Sequence, residues 1–253
     1  MRNEDVVGRL GLERGDFYIT VPAPCPYLPG KAERKIFSYL SGDGASELNA
    51  ALSERGFRRS QNIIYMPACI ACAACQPVRI VVKDFEATKS RRRTLNRNAD
   101  LARRLRPPQA TVEQFSVLRG YLDSRHAEGG MAAMTALDYA AMVEETAVDT
   151  MVVEYTRETR DPRDGDVDRE LVACALTDRL SDGLSMVYSF FEPDLAARSL
   201  GAFMILDHVR LSASLGLDYV YLGYWVEGSA KMDYKRRFGP LERLTPHGWR
   251  TLA

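Results

Sequence analysis

The feature that most constrains the fold lies between residues 150 and 225, where the hydrophobic period changes from two to about 3.6 and back. "TMVVEY" (150–155), "ELVACALTDRL" (170–180) and "LSMVYSFFEP" (184–193) are strand-like runs. "SLGAFMILDHVRLSASLG" (199–216) carries a helical apolar stripe closed by Gly216, and "DYVYLGYW" (218–225) returns to strand. Strands that first meander and then alternate with a helix predict a mixed sheet, an α/β chain of the α+β kind. A length of 253 residues, 46% of them hydrophobic, suffices for one large or two modest cores without disulfide staples.

Up to residue 75 the chain is punctuated by turn formers ("VPAPCPYLPG", "SGDGAS") around two expected helices, 32–39 and 46–55. Residues 1–75 are therefore expected to form a small, loop-rich, cysteine-containing subdomain, and 76–253 the main domain. "VRIVVKDF", from Val78, reads as a strand. "SRRRTLNRNADLARRL" (90–105) reads as one basic helix ended by Pro107 and Pro108. Two further helices are expected over 111–126 and 135–145, a solvated loop over 157–169, and a short basic helix or turn over 229–239.

Lysine plus arginine and aspartate plus glutamate both total 34, so global charge points to no nucleic-acid or membrane partner. The charge is instead polarised: 79–106 holds ten basic residues against three acidic, and 140–170 ten acidic against four basic. The N-terminus has no apolar signal-peptide core and no stretch is long enough to span a membrane, which predicts a soluble, cytoplasmic protein. Five cysteines are an odd number for a disulfide framework, so reduced thiols are expected. There is no G-x-S-x-G, H-E-x-x-H, phosphate-loop or G-x-G-x-x-G motif, and His126, His208 and His247 are far apart.

Four stretches carry candidate chemistry. Arg198 and Gly201 open the helix after the aromatic strand, where exposed N–H groups suit a phosphate; alternatively Gly201 only permits close packing of helix on sheet. Lys89, Arg91, Arg92, Arg93 and Arg97 exceed what solubility asks of a neutral protein and suit phosphate-backbone contact, or else form a solvated face. "KMDYKRR" interleaves Tyr234 with Lys231 and Lys235, a combination of charge and stacking that suits a single-stranded nucleic-acid end. Cys69, Cys72 and Cys75, with Cys25 in the same subdomain, make a four-thiol site that suits an iron–sulfur cluster or zinc, against the plainer reading of small buried thiols among alanines.

"CPYLPGKAERKIF", "GFRRSQNIIYMPACIACAACQPVRI", "SRRRTLNRNADL", "LTDRLSDGLSMVYSFFEP" and "SLGAFMILDHVRLSASLGLDYVYLGYWVEGSAKMDYK" resemble, in order and spacing, the bacterial aspartate/glutamate leucyltransferases, which are similar to the eukaryotic arginyl-tRNA–protein transferases. The resemblance spans about residues 17–249. It implies a GCN5-related N-acetyltransferase-like core using aminoacyl-tRNA in place of acyl-coenzyme A. It also implies transfer of leucine from leucyl-tRNA to the α-amino group of proteins beginning with Asp or Glu, an N-degron step. A metal-binding cysteine region belongs to the eukaryotic relatives; here Leu28 stands where they carry a second cysteine.

The ester of leucyl-tRNA is already activated, so the enzyme must align the amine, accept its proton and stabilise an oxyanion; no cofactor is required for transfer. On that reading Asp178, then Asp182, are candidate bases. Arg79, followed by Lys89 and Arg125, is the expected partner of the acceptor's carboxylate. Tyr188 and Tyr224 are placed on strands flanking the active-site gap, to position the ester or stack on the terminal adenine, and His126 is a further substrate contact. Three rivals remain at this stage: an arginyl donor, a coenzyme-A-dependent acetyltransferase, which Phe203 in place of a small residue opposes, and a non-catalytic RNA-binding protein with a cysteine–metal module.

Overall fold

The computed structural model describes residues 17–125, 131–160 and 167–252. The N-terminal part holds β1 (Tyr18–Ile19), a ribbon of β2 (Ala23–Pro24) and β3 (Ala32–Glu33), β4 (Lys35–Tyr39), α1 (Ala45–Glu54), β5 (Arg58–Ser60) and β6 (Ile63–Pro67). Strands β1-β4-β6-β5 form a small antiparallel sheet. Phe17, Ile36, Leu52, Phe57 and Ile64 close its core against α1. The helix expected over 32–39 is strand instead. Its Ala, Glu, Arg and Lys favour a helix, but Ile36 and Ser38 alternate inward while Phe37 and Tyr39 cluster with Tyr18 on the other side.

The rest builds one eight-stranded sheet. Its elements in order are β7 (Cys75–Val81), α2 (Lys89–Arg97), β8 (Leu101–Arg106), α3 (Val112–Arg125), α4 (Ala136–Glu144), β9 (Thr150–Arg160), β10 (Val167–Arg179), β11 (Gly183–Phe191), a 3-10 turn (Pro193–Arg198), α5 (Leu200–Ser214), β12 (Tyr219–Val226), a second 3-10 turn (Asp233–Phe238), β13 (Leu241–Thr245) and β14 (Gly248–Thr251). The strands lie side by side as β14-β13-β7-β12-β11-β10-β9-β8. Among the described residues every neighbouring pair is antiparallel except β11 and β12, because the α5 crossover returns the chain in the same direction. This mixed architecture is the α/β class expected.

Strand alternation sends side chains to two cores. Val153, Tyr155, Ala173 and Ala175 face α5 and Leu95 of α2, while Val152, Cys174 and Leu176 face α3 and α4. Helices thus cover both faces of the sheet.

The expected long basic helix over 90–105 breaks at Asn98, whose side chain donates to Thr94 O (2.9 Å) and Arg198 O (2.9 Å). The remainder, "LARRLR", pairs with β9 as the edge strand β8. The loop expected over 157–169 is shorter, since β9 and β10 extend into it with Arg157–Glu170 (2.6 Å) and Arg169–Glu158 (3.6 Å) ion pairs across the strands. No helix among the described residues is long and apolar enough to cross a membrane.

Candidate active site

The parallel pair β11–β12 is hydrogen-bonded only over Gly183–Ser185 against Tyr219–Tyr221, and beyond that the strands diverge. The register of β12 against β7 slips between Tyr221 and Tyr224, where Gly223 has a φ of +69°. A side chain at 223 would be strained by that φ and would displace the Arg58 guanidinium, against which its Cβ would stand. The gap so opened is bridged from the small sheet. Arg58 donates to Leu222 O (3.5 Å) on β12 and to Met186 O (3.4 Å) and Val187 O on β11. Lys235, from the turn after β12, donates to Leu222 O (2.8 Å) and Tyr224 O (2.6 Å).

A cavity of about 670 Å³ opens at this splay. Its lining includes Met131, Met134, Met142, Met186, Met232 and Ile205, together with Tyr27, Tyr65, Tyr188 and Tyr234. The basic groups lining it are Arg58, Arg59 and Lys235, and among the described residues no carboxylate lines it. Burial holds the Lys235 ammonium well below its ordinary range, and the Arg58 guanidinium adds to the effect. Burial, with Tyr121 alongside, pushes the Tyr188 hydroxyl up to about 12, so it remains a donor at neutral pH. Tyr224 also lines the cavity and places its hydroxyl 2.9 Å from Gly56 O and 3.0 Å from Tyr65 O, tying β12 to the small sheet.

Of the residues singled out from sequence, Tyr188, Tyr224, Tyr234 and Lys235 meet at this cavity. Several others are engaged elsewhere. Asp178, the first candidate base, is fully buried and held by Arg59 through Nε (2.6 Å) and Nη2 (2.7 Å), with Thr150 Oγ1 at 2.9 Å. It is a clasp between the small sheet and β10, closed to an incoming amine. Asp182 accepts from Tyr221 (2.8 Å) at the hydrogen-bonded end of the β11–β12 pair, away from the splay.

Arg79 is likewise committed. It pairs with Glu242 (2.8 Å) and lies between the rings of Tyr219 and Trp249, 3.4 and 4.2 Å from their centroids. Arg198 is consumed by Asn98 Oδ1 (3.1 Å), Arg97 O (2.9 Å) and Asp100, so it offers no phosphate site at the start of α5. A Cβ on Gly201 would meet Phe191 at 3.3 Å, which makes close packing the reason for that glycine. Arg91 spans to Arg237 O (2.9 Å) and Glu86 O (2.8 Å), and Arg92 and Arg97 donate to the carbonyls of Ala87 and Ala197. Lys89, Arg93 and Lys231 are exposed. Arg125 lies 5.2 Å from the Phe191 ring centroid, and His126 falls outside the described residues.

Cys25, Cys69, Cys72 and Cys75 all line a second cavity, of about 640 Å³, that shares Tyr27, Tyr65 and Tyr224 with the first. Burial, then the neighbouring Cys69, Cys25 and Cys72, push the Cys75 thiol up to about 11. Four convergent thiols fit a soft metal or an iron–sulfur cluster in kind. They are not drawn into a cage: among the described residues no three His, Cys, Asp or Glu side chains are grouped to hold an ion. Cys174 is buried apart, in the core.

Sequence reasoning missed Arg58, Arg59, Gly223 and the five methionines that line the cavity. The tandem arginines of "GFRRSQ" in a short strand were a usable signal, since adjacent strand residues point to opposite faces and one of the two is thereby sent toward the sheet. The methionines come from α4, its preceding turn, β11 and the turn after β12, segments that only the tertiary fold assembles.

Residues 23–93 match the family model described as arginine-tRNA-protein transferase, N terminus, and 113–245 the corresponding C terminus. The aspartate/glutamate leucyltransferase of Afipia carboxidovorans is 58% identical, covering 92% of this chain and 91% of that one. Those of Azorhizobium caulinodans (58%, covering 92% and 94%) and Rhodopseudomonas palustris BisA53 (57%, covering 92% and 90%) are similar to the same extent. Among solved structures, a GCN5-related glucosamine N-acetyltransferase region of a fungal multi-domain GH3 beta-N-acetylglucosaminidase aligns with 90% of this chain and 24% of its own, at 10% identity and a TM-score of 0.40, too distant to carry an argument. With both halves of the family model matched in order and relatives similar over nearly their whole length, the chain belongs to the arginine-tRNA-protein transferase family.

Proposed function

We propose that the protein transfers leucine from leucyl-tRNA to the α-amino group of proteins that begin with Asp or Glu, acting in the cytoplasm to create an N-degron. The observation that carries this reading is the cavity at the β11–β12 splay, whose five lining methionines suit an apolar donor side chain and whose described lining has no carboxylate to pair with an arginyl one. The names of relatives 56–58% identical point the same way.

The reaction is aminolysis of an ester. The acceptor nitrogen attacks the leucyl carbonyl carbon, the bond to the tRNA ribose oxygen breaks, and the amine's proton must reach that oxygen. Lys235 donates to Leu222 O and Tyr224 O, and burial, with Arg58 beside it, disfavours its charged form, which suits this amine to relay the proton. An N-terminal amine has a pKa near ~8, so a base of modest strength is enough. The Tyr188 hydroxyl, protonated at neutral pH, donates toward the ester, and Tyr234 offers a ring face to the terminal adenine. Lys89, Arg93 and Lys231, exposed on the surface, meet tRNA phosphates. Cys25, Cys69, Cys72 and Cys75 would hold zinc or an iron–sulfur cluster with a structural role, since the transfer itself needs no metal.

The test is transfer of labelled leucine, against labelled arginine, from charged tRNA to peptides beginning with Asp, Glu, Lys or Ala. Leucine on the Asp and Glu peptides alone is expected. Arginine in its place overturns the donor assignment, and no transfer of either overturns the reading.

A further inference from the structure

Arg58 stands out as a cation without an anion. It lies inside the splay, and it donates to the carbonyls of Leu222, Met186 and Val187, all uncharged. Its neighbour in sequence, Arg59, is neutralised by Asp178, and Arg79 by Glu242, but no described carboxylate pairs with Arg58 or lines the cavity that holds it. A guanidinium cannot lose its proton to escape that cost, whereas the lysine beside it can. Arg58 and Lys235 share Leu222 O as an acceptor, so the unbalanced positive charge sits beside the amine assigned to proton transfer. The structure keeps the charge there at some expense. Gly223 is needed to make room for it, and three carbonyls of two strands are turned toward it.

Resting on the leucyl-transfer reading above, we infer that Arg58 is the residue that recognises the acceptor: it pairs with the side-chain carboxylate of an N-terminal Asp or Glu. A guanidinium has five N–H groups, so three carbonyls leave donors for a carboxylate. The acid would supply the charge the cavity lacks, and would hold its own α-amino group beside Lys235. Neutral or basic N-termini leave Arg58 uncompensated, which is selection by a half-buried charge that lacks a counter-ion. A tRNA phosphate is the other anion that chemistry allows; the two are separable because one belongs to the acceptor and the other to the donor.

The experiment compares wild type with Arg58→Gln and Arg58→Lys, using peptides that begin with Asp or with its neutral isostere Asn, and leucyl-tRNA as donor. Folding is checked by thermal melting. In Arg58→Gln the acceptor KM for the Asp peptide is expected to rise about tenfold or more, and the Asp-over-Asn preference to fall by a like factor, with the KM for leucyl-tRNA unchanged. Arg58→Lys is expected to keep part of the preference. A wild-type Asp-over-Asn ratio in folded Arg58→Gln overturns the inference, as does a rise confined to the KM for leucyl-tRNA. If the variants do not fold, a photoreactive group at the second position of the Asp peptide, irradiated with wild-type enzyme, decides the matter. Crosslinks to Met186, Val187 or Tyr188 support the site, and crosslinks around Arg79 or Lys89 overturn it. Wild-type failure to transfer leucine at all is a failure of the function and shows as such before any variant is compared.

Discussion

At the scale of single residues, what decides a role here is the partner a side chain has already taken. Asp178 and Arg59 are 1% exposed each and satisfy one another, with Thr150 as a third member. Removing the acid leaves a buried guanidinium without a counter-charge, so Asp178→Ala is expected to cost on the order of 3–5 kcal/mol of stability. A general base would behave differently, with stability kept and kcat lost. Urea unfolding of the variant, beside kcat of whatever fraction stays folded, distinguishes the two; a stable protein with kcat lowered about a hundredfold or more would return Asp178 to catalysis. The sequence shows the chemistry of an aspartate at a strand end and of an arginine in a short strand, but not what each faces, so Asp178 read as a candidate base and Arg58 was passed over.

At the scale of elements, the basic stretch 89–106 divides into a helix and an edge strand, and its charges divide as well. Helix α2 starts at a Thr88 cap, whose side chain accepts from Arg91 N at 3.4 Å, and ends where Asn98 bonds back to Thr94 O. Arg91, Arg92 and Arg97 lie back on carbonyls, whereas Lys89 and Arg93 make no bond of that kind among the described residues and face solvent. Replacing both by alanine is expected to raise the KM for leucyl-tRNA, to leave the acceptor KM alone, and to reduce the slope of log affinity against log salt by about 1–2. Stability should move by no more than about 0.5 kcal/mol per exposed site. A filter-binding salt titration checks this, and an unchanged slope would move the tRNA to another face. Strand β8 was illegible for a related reason: leucine, alanine and arginine favour helix, and only pairing with β9 makes "LARRLR" extended.

At the scale of the whole molecule, the crossover helix α5 is tied to the large sheet through one buried polar network. His208, with no exposure, has Nδ1 2.7 Å from Met204 O and Nε2 2.9 Å from Thr177 Oγ1; Tyr155 donates to Asp207 at 3.0 Å, and Arg103 pairs with that same carboxylate. Burial first, with Met204 O and Asp207 opposing it, takes the imidazole from 6.5 down to about 4. The unfolded chain therefore binds this proton at a higher pH than the folded one. Its contribution is full above pH 6.5 and is lost as pH falls toward about 4, on the order of 3 kcal/mol in all. His208→Gln is expected to flatten that part of the pH dependence, read as the urea midpoint at about pH 7.5 and about pH 5; a parallel loss in wild type and variant would assign the acid sensitivity to other groups. By itself the sequence determined the class of fold, the large sheet's strand-like runs and the crossover helix, because apolar periodicity is a local record of which face will be buried. It also determined the family, through motifs long enough to be read as they stand. Only the tertiary structure decided the site. Whether an arginine is spent on a carboxylate or left facing a cavity, and whether five methionines are scattered or line one cavity, depends on which distant segments the fold brings together, and charge pairing and desolvation are properties of that proximity.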